Sequence, residues 1–153
     1  MHIRPWRSGE EAELRQVFES ALYGKASRYY DAGQIQAWAA RSAAPKAWQA
    51  RIQATAPWVC EIDGAVAAYA DVQASGYIDQ FFVTAAYAGQ GVGTRLLQHL
   101  AQQALQQGCP RLWANVSLAA EAFFSRHGFV VQERRLVQLQ GLALAQARME
   151  KQL

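Results

Sequence analysis

The sequence predicts a mixed α/β (α+β) fold of about seven strands with helices packed against the sheet. Apolar residues keep helical spacing in the first third of the chain and change to strand alternation from Trp58 onward. A strand, a glycine-rich loop and a long amphipathic helix then follow one another, which is typical of a βαβ unit. The chain ends in two alternating segments on either side of Gly141, which predicts a closing β-hairpin.

The first part of the chain predicts one strand and three helices. Ser8 with Glu11, and Asp31 with Gln34, each match a helix capping box, and Pro45 suits a first helical turn. The expected elements are a strand at His2–Trp6 and helices ending near Leu22, at Ala32–Arg41 and at Lys46–Ala54.

The rest of the chain predicts six strands and two helices. Asp63-Gly64 is a strong hairpin signal, Gly108 suits the end of a helix, and Ser117 suits the start of the next. The expected strands are Trp58–Ile62, Ala65–Val72, Tyr77–Val83, Arg111–Val116, Phe129–Gln140 and Leu142–Lys151, and the helices are Thr94–Gln107 and Leu118–Arg126.

Length and composition limit the class of protein. The 153 residues predict one domain, 1–153, and the apolar fraction of 52% is sufficient for one core. No apolar window is long enough for a membrane helix and the N-terminus lacks an apolar signal core, so we expect a cytoplasmic protein with no membrane partner. The net charge of +3 is scattered, which argues against a nucleic-acid surface. Cys60 and Cys109 are far apart without metal-ligand spacing, so we expect buried thiols and no metal.

The most informative stretch is F-F-V-T-A-A-Y-A-G-Q-G-V-G-T-R-L-L, with glycines at positions 89, 91 and 93. A glycine loop before a helix N-terminus is an anion site, because unpaired N–H groups and the helix dipole favour negative charge. The simpler alternative is a tight turn between a strand and a helix. A P-loop is excluded because its lysine is missing. A dinucleotide fingerprint is excluded because Thr94 replaces its third glycine and Arg111-Leu112-Trp113 stands where its acidic residue should be.

The stretch Ala88–Thr94 resembles a third motif, the pyrophosphate loop Q/R-x-x-G-x-G/A of the GNAT superfamily of acetyl-CoA-dependent N-acetyltransferases. Phe82-Val83 is similar to the end of the strand before that loop. Ala122–Phe129, A-F-F-S-R-H-G-F, is similar to the late segment of the family that ends in G-F. The order of elements agrees over nearly the whole chain, and within the superfamily the sequence looks most like the small bacterial YafP-like branch.

The resemblance implies a mostly antiparallel central sheet and acetyl-CoA as the co-substrate, with no metal. Backbone N–H groups from Gln90 to Thr94 would hold the pyrophosphate, and the strand at Phe82 and Val83 would pair with the pantetheine arm. Arg126 would flank the co-substrate or belong to a solvated helix face. The implied binding residues are Phe82, Val83, Ala88, Gly89, Gln90, Gly91, Val92, Gly93, Thr94, Asn115, Phe123 and Arg126.

Two residues depart from the family pattern. Ala88 stands at the loop start, where the family has Gln or Arg, and only a side-chain contact is lost. Phe124 stands where many members have a tyrosine that returns a proton to the leaving thiolate, which phenylalanine cannot do. The proton then comes from another group or from solvent, or the protein is a non-catalytic acyl-CoA sensor.

Candidate catalytic residues lie on the strand Tyr77–Val83. Asp79 is the only carboxylate in that apolar strand, so it is the candidate general base, with a purely structural aspartate as the alternative. Tyr77 is the candidate proton donor, and His127 ranks below Asp79. Tyr29 and Tyr30 are the candidate substrate-binding residues.

The predicted activity is direct acetyl transfer, in a ternary complex, from acetyl-CoA to a primary amine of a small molecule or peptide. The alternatives are the acyl-CoA sensor and a partner-binding module on the same fold. A homodimer through the C-terminal strands is a further expectation, because their apolar run could expose a sheet edge.

Overall fold

The computed structural model describes all residues from Met1 to Leu153. The helices are α1 (Glu11–Tyr23), α2 (Ala32–Ala39), α3 (Pro45–Thr55), α4 (Val92–Gln106) and α5 (Glu121–Arg126). The strands are β1 (His2–Pro5), β2 (Trp58–Ile62), β3 (Ala65–Ala70), β4 (Tyr77–Ile78), β5 (Phe81–Val83), β6 (Arg111–Ser117), β7 (Val130–Leu139) and β8 (Leu142–Gln152). Short 3₁₀ helices lie between these elements, at Lys25–Arg28, Ala40–Ser42 and Ala85–Tyr87.

The strands form two four-stranded sheets, in the orders β1-β2-β3-β5 and β4-β6-β8-β7. All neighbours are antiparallel except β4 and β6, which confirms the mixed, mostly antiparallel fold. Strand β7 is the edge of the second sheet and most of its residues are exposed, so the predicted homodimer would form on this edge.

The sequence predicted seven strands where the structure has eight, because the predicted strand Tyr77–Val83 is divided at Asp79 and Gln80. The carboxylate of Asp71 accepts hydrogen bonds from the backbone N–H groups of Gln80 (2.6 Å) and Asp79 (3.2 Å). A side chain therefore satisfies the N–H groups that a continuous ladder would use, and the chain passes from one sheet to the other.

Helices cover both faces of the sheets, as the alternation along β3 shows. Ala68 and Ala70 face a core cluster that includes Leu96 and Leu100 of α4. Tyr69, between them, faces a second cluster formed with α1, α2 and α3. The largest fully buried side chains of that second cluster are Trp48, Tyr69, Phe18, Leu14, Leu22 and Ile52.

The helix starts test the predicted caps. The capping box of Asp31 and Gln34 is confirmed, with reciprocal bonds of 2.8 and 2.9 Å. The Ser8 cap is wrong: α1 begins at Glu11 after Glu10, which accepts the Arg7 N–H with its own carboxylate. The Ser117 cap is also wrong, because Ser117 is the last residue of β6 and α5 begins at Glu121.

None of the helices combines the length and the apolar character needed to cross a bilayer.

Candidate functional site

The glycine loop between β5 and α4 uses its three glycines for two different reasons. Gly89 and Gly91 have φ values of +76° and +82°, a region that favours glycine, and a Cβ on either would meet nothing within 4 Å. Gly93 has an ordinary φ, but a Cβ there would lie 3.2 Å from the ring of Phe123. The loop is therefore shaped by backbone conformation at two positions and by close packing at the third.

The N-terminus of α4 is rich in unpaired donors. Arg95 is the first residue of the helix whose N–H bonds to a carbonyl, that of Gly91, at 3.2 Å. The N–H groups from Gly89 to Thr94 donate to no carbonyl of the chain. Unpaired N–H groups and the helix dipole together provide a site for an anion such as a phosphate.

A cavity of about 480 Å³ lies against this loop. Its lining includes three cationic side chains, those of Lys25, Arg28 and Arg126, and none of them forms an ion pair within the chain. We call this space the loop cavity. Its positive charge and free N–H groups fit a ligand with several phosphate groups, and coenzyme A has such groups.

The two sheets diverge beside the loop cavity. Strand β5 pairs only with β3. Strand β4 pairs with β6 only at Trp113 and Ala114, so the part of β6 from Asn115 to Ser117 has no strand partner on that side. The backbone edges of β5 and β6 thus face a split in which an extended ligand can bind as an added strand.

A second cavity, of about 620 Å³, lies on the other side of the split and is called the acceptor cavity here. Asp79 lines it, with its side chain 26% exposed. Its two carboxylate oxygens accept hydrogen bonds from the Tyr77 hydroxyl (3.2 Å) and from Arg51 Nη2 (3.3 Å). Asp79 is therefore paired with an arginine, as its structural alternative required, and still faces the cavity.

The two tyrosines of the acceptor cavity use their hydroxyls differently. Burial, followed by the negative charge of Asp79, raises the pKa of Tyr77, so its hydroxyl stays protonated at neutral pH. The Tyr30 hydroxyl donates to the carbonyl of Ala145 (2.6 Å) and accepts the N–H of Leu118 (2.9 Å). Tyr30 therefore joins β8 to the segment after β6, and its ring forms part of the wall.

The loop and acceptor cavities share a wall. Phe124 belongs to this wall and is 3% exposed, with ring contacts to Phe81, Phe123 and Phe129 at centroid distances of 4.9 to 5.5 Å. The residues that line both cavities are Trp38, Phe81, Phe82, Ser117, Ala120 and Phe124. The cavities therefore meet at β5 and β6, and Asp79 lies on the acceptor side of the split.

Thr94 is bonded to His127, a residue that the sequence analysis ranked low. His127 Nδ1 lies 2.8 Å from the Phe123 carbonyl, which can only accept, so Nδ1 carries the proton. In the neutral ring, Nε2 then accepts from the Thr94 hydroxyl at 3.0 Å. His127 thus links the start of α4 to the end of α5 beside the loop cavity.

The structure brings most of the residues implied for co-substrate binding to the loop cavity. Its lining includes Phe82, Val83, Ala88, Gly89, Gly91, Gly93, Thr94, Phe123 and Arg126. Val92 is buried in the core and Gln90 is exposed, and neither residue lines the loop cavity. Asn115 lines the acceptor cavity instead, and Tyr29 is 50% exposed and lines neither cavity.

Several charged residues of the two cavities were missed by the sequence analysis. They are Lys25 and Arg28 in the loop cavity, and Arg41, Arg51 and Arg135 in the acceptor cavity. The sequence analysis also missed Asp71, which lines neither cavity but holds the backbone N–H groups of Asp79 and Gln80. None of these residues belongs to a motif, and their convergence depends on tertiary packing.

Comparison with known proteins agrees with this geometry. Residues 26–152 match the family described as the acetyltransferase (GNAT) domain. The chain is 28% identical, over 92% of its length and 89% of the relative, to the uncharacterized N-acetyltransferase YafP of Escherichia coli (strain K12).

Solved structures show the same fold. A GCN5-related N-acetyltransferase from Rhodopseudomonas palustris has a TM-score of 0.96 and 26% identity, over 99% of this chain and 95% of that one. The protein yncA from Salmonella typhimurium, solved with its cofactor acetyl-CoA, has a TM-score of 0.68 and 21% identity, over 100% of this chain and 94% of that one. The expected enzyme class, an acyltransferase, is confirmed, and the chain belongs to the GNAT family of acetyltransferases.

Proposed function

We propose that the protein transfers an acetyl group from acetyl-CoA to the primary amine of a small molecule or peptide, directly within a ternary complex. The observation that carries this proposal is the pair of cavities meeting at the split between β5 and β6. One cavity has the groups that bind phosphate, and the other has a carboxylate. Two substrates that meet at the split can react directly, without a covalent intermediate on the protein.

The loop cavity is proposed to hold acetyl-CoA. The N–H groups from Gln90 to Thr94 would donate to the pyrophosphate, and Lys25, Arg28 and Arg126 would neutralise the remaining phosphate charge. The edge of β5 at Phe82 and Val83 would pair with the amide groups of the pantetheine arm. That a solved structure with this fold, yncA, holds acetyl-CoA supports the assignment.

Asp79 and Tyr77 are proposed to move the protons. The amine nitrogen forms a bond to the thioester carbonyl carbon, the carbon–sulfur bond breaks, and the sulfur leaves with the electron pair. Asp79 would take the proton that the amine loses, and the Tyr77 hydroxyl would supply the proton that the thiolate gains. A buried Phe124 without a hydroxyl is compatible with this scheme because Tyr77 replaces the donor.

Neither cysteine lines the site. Cys60 and Cys109 are both buried free thiols outside the two cavities. This supports direct transfer over a route through an acetylated cysteine.

Calorimetric titration with acetyl-CoA tests the proposal, using the native protein, Gly91→Glu and Gly64→Glu. Gly64 is a matched control, because it also has a positive φ (+78°) and open space at its Cβ but lies in the β2–β3 turn. We expect micromolar binding by the native protein and by Gly64→Glu. We expect no measurable binding by Gly91→Glu, since a carboxylate would stand beside the phosphates.

The outcomes separate the alternatives. Loss of binding in Gly91→Glu alone would support the loop cavity as the site, and turnover with an amine would then exclude the sensor. Binding without turnover of any amine would favour the sensor. No binding by the native protein would overturn both and leave the glycines as a turn.

A further inference from the structure

The acceptor cavity has an unusual charge for a site that receives an amine. Its charged lining residues are three arginines, Arg41, Arg51 and Arg135, and a single carboxylate, Asp79. An ordinary amine is a cation in water, so a cavity built for a simple polyamine should have an excess of acidic groups. This cavity has an excess of positive charge instead.

The arginines are only partly neutralised by the chain. Arg51 bonds to Asp79 (3.3 Å), and Arg135 donates to the uncharged Oδ1 of Asn115 (3.3 Å). Arg41 forms no hydrogen bond or ion pair. Arg41 is exposed, and partial desolvation and the charge of Arg51 lower the pKa of Arg41, so a bound anion would offset the repulsion between the two guanidinium groups.

These arginines are separate from the groups assigned to acetyl-CoA. Arg41, Arg51 and Arg135 line the acceptor cavity and not the loop cavity, which has its own cations in Lys25, Arg28 and Arg126. Phosphate binding by the co-substrate therefore does not explain them. A second negatively charged group, on the acceptor itself, would explain these arginines.

The rest of the wall is largely apolar. The polar residues are accompanied by apolar side chains, those of Phe18, Trp38, Phe82, Val137, Leu139 and Leu144. A volume of about 620 Å³ is in the range of small-molecule sites. The cavity thus fits a compact ligand with an apolar body and two polar groups, a cation for Asp79 and an anion for the unpaired guanidinium of Arg41.

On the basis of the proposed function, we propose that the acceptor is a small amino carboxylate with an apolar side chain. Its amine would lie at Asp79, and Arg41, supported by Arg51 and Arg135, would hold its carboxylate. A guanidinium binds a carboxylate through two parallel hydrogen bonds, so it fixes the amine in one orientation as well as attracting the molecule. Polyamines and aminoglycosides, which lack an anion, would be repelled.

The test measures release of the coenzyme A thiol with acceptors that differ only in the anion. The set is phenylalanine, phenylalaninamide, phenethylamine and the aminophosphonate analogue of phenylalanine, with spermidine as a polycation. We expect the kcat/KM of the native protein to be about ten- to a hundredfold higher for phenylalanine than for phenethylamine, the range that a charge-assisted pair gives. The aminophosphonate shows whether the site prefers a planar carboxylate or accepts any anion.

Two arginine variants place the effect in the cavity. Arg41→Gln removes a guanidinium that forms no ion pair within the chain, so the fold should survive. The difference in kcat/KM between phenylalanine and phenethylamine should fall to less than about threefold, while acetyl-CoA affinity stays unchanged. Arg41→Lys should restore part of the difference in kcat/KM between phenylalanine and phenethylamine. Arg134→Gln is the control, because Arg134 is next to Arg135 but is 63% exposed and lines neither cavity.

The failures are distinguishable. No acetyl-CoA binding by the native protein would overturn the proposed function. If the protein binds acetyl-CoA but turns over phenethylamine or spermidine as fast as phenylalanine or faster, the proposed function stands and the anionic acceptor is overturned. Binding with no turnover of the whole set would also overturn it, and so would a preference for phenylalanine that Arg41→Gln leaves unchanged.

Discussion

The carboxylate of Asp71 accepts a hydrogen bond of 2.6 Å from the backbone N–H of Gln80, where the chain passes from the second sheet to the first. The same carboxylate accepts the N–H of Asp79 at 3.2 Å and Gln73 Nε2 at 2.6 Å. Asp71 is fully buried and lines neither cavity. The buried carboxylate of Asp71 therefore holds the backbone of Asp79, the proposed base.

This arrangement predicts a pH-dependent stability. Burial raises the pKa of Asp71 to about 6, although its three hydrogen-bond donors act in the opposite direction. A carboxyl group with a higher pKa in the folded state binds more protons there, so its contribution is favourable at low pH and is lost as the pH rises toward 6. With about 1.4 kcal/mol for each pH unit, the difference from the ordinary value of 3.8 corresponds to on the order of 3 kcal/mol.

Urea unfolding of the native protein and of Asp71→Asn between pH 4 and pH 7 measures this contribution. The asparagine keeps the volume and one acceptor oxygen but does not titrate. We expect the free energy of unfolding of the native protein, relative to the variant, to fall between pH 4 and about pH 6 and to be flat above. A constant difference over the whole range would mean that Asp71 is ionised throughout.

Replacing Asp79 tests the proposed base. Asp79→Asn keeps an acceptor for the Tyr77 hydroxyl but cannot take a proton, so kcat should fall by about a hundredfold or more while acetyl-CoA affinity is unchanged. The control is Asp63→Asn, because Asp63 lies in the β2–β3 turn with a positive φ of 51°, which asparagine tolerates. Steady-state kinetics with calorimetry separates the two parameters. A kcat equal to that of the control would make Asp79 a purely structural partner of Arg51.

The close contact between Gly93 and Phe123 leaves no room for a side chain at position 93. An added Cβ would lie 3.2 Å from two atoms of the Phe123 ring, and that ring is held by Phe81, Phe124 and His127. Gly93→Ala should therefore lower the free energy of unfolding by about 1 kcal/mol or more, and weaken acetyl-CoA binding, because the ring or the loop must shift.

The matched control for Gly93→Ala is Gly33→Ala. Both glycines are the second residue of a helix, but a Cβ at Gly33 would meet its nearest atom at an ordinary 3.4 Å. Gly33→Ala should leave the protein as stable or more stable, because alanine favours the helix. If both variants had the same stability, the contact with Phe123 would not explain the glycine.

The glycine loop and most element boundaries could be predicted from the sequence because they depend on local features. Gly89 and Gly91 need a positive φ, and the capping box of Asp31 and Gln34 closes within four residues. The division of the strand at Asp79 and Gln80 could not be predicted, since it depends on a carboxylate eight or nine residues away. The arginines of the acceptor cavity converge from α3, β7 and the turn after α2, and no spacing in the sequence indicates that.

The ring of Tyr77 packs on that of Trp113 with 4.3 Å between the ring centroids, and its hydroxyl donates to Asp79. Because burial and the charge of Asp79 raise the pKa of Tyr77, the hydroxyl stays available as a donor at alkaline pH where an ordinary tyrosine begins to ionise. Tyr77→Phe keeps the stacking and removes the proton, so kcat should fall by about a hundredfold with little change in the KM for acetyl-CoA.

The control for Tyr77→Phe is Tyr23→Phe, an exposed residue that lines neither cavity. In the native protein kcat should show no decline from neutral into mildly alkaline pH, since a donor with a raised pKa keeps its proton there. If Tyr77→Phe turns over as fast as the control, then solvent protonates the thiolate and Tyr77 only orients Asp79. A decline near neutral pH in the native protein would contradict Tyr77 as the proton donor, because the raised pKa of Tyr77 keeps its hydroxyl protonated there.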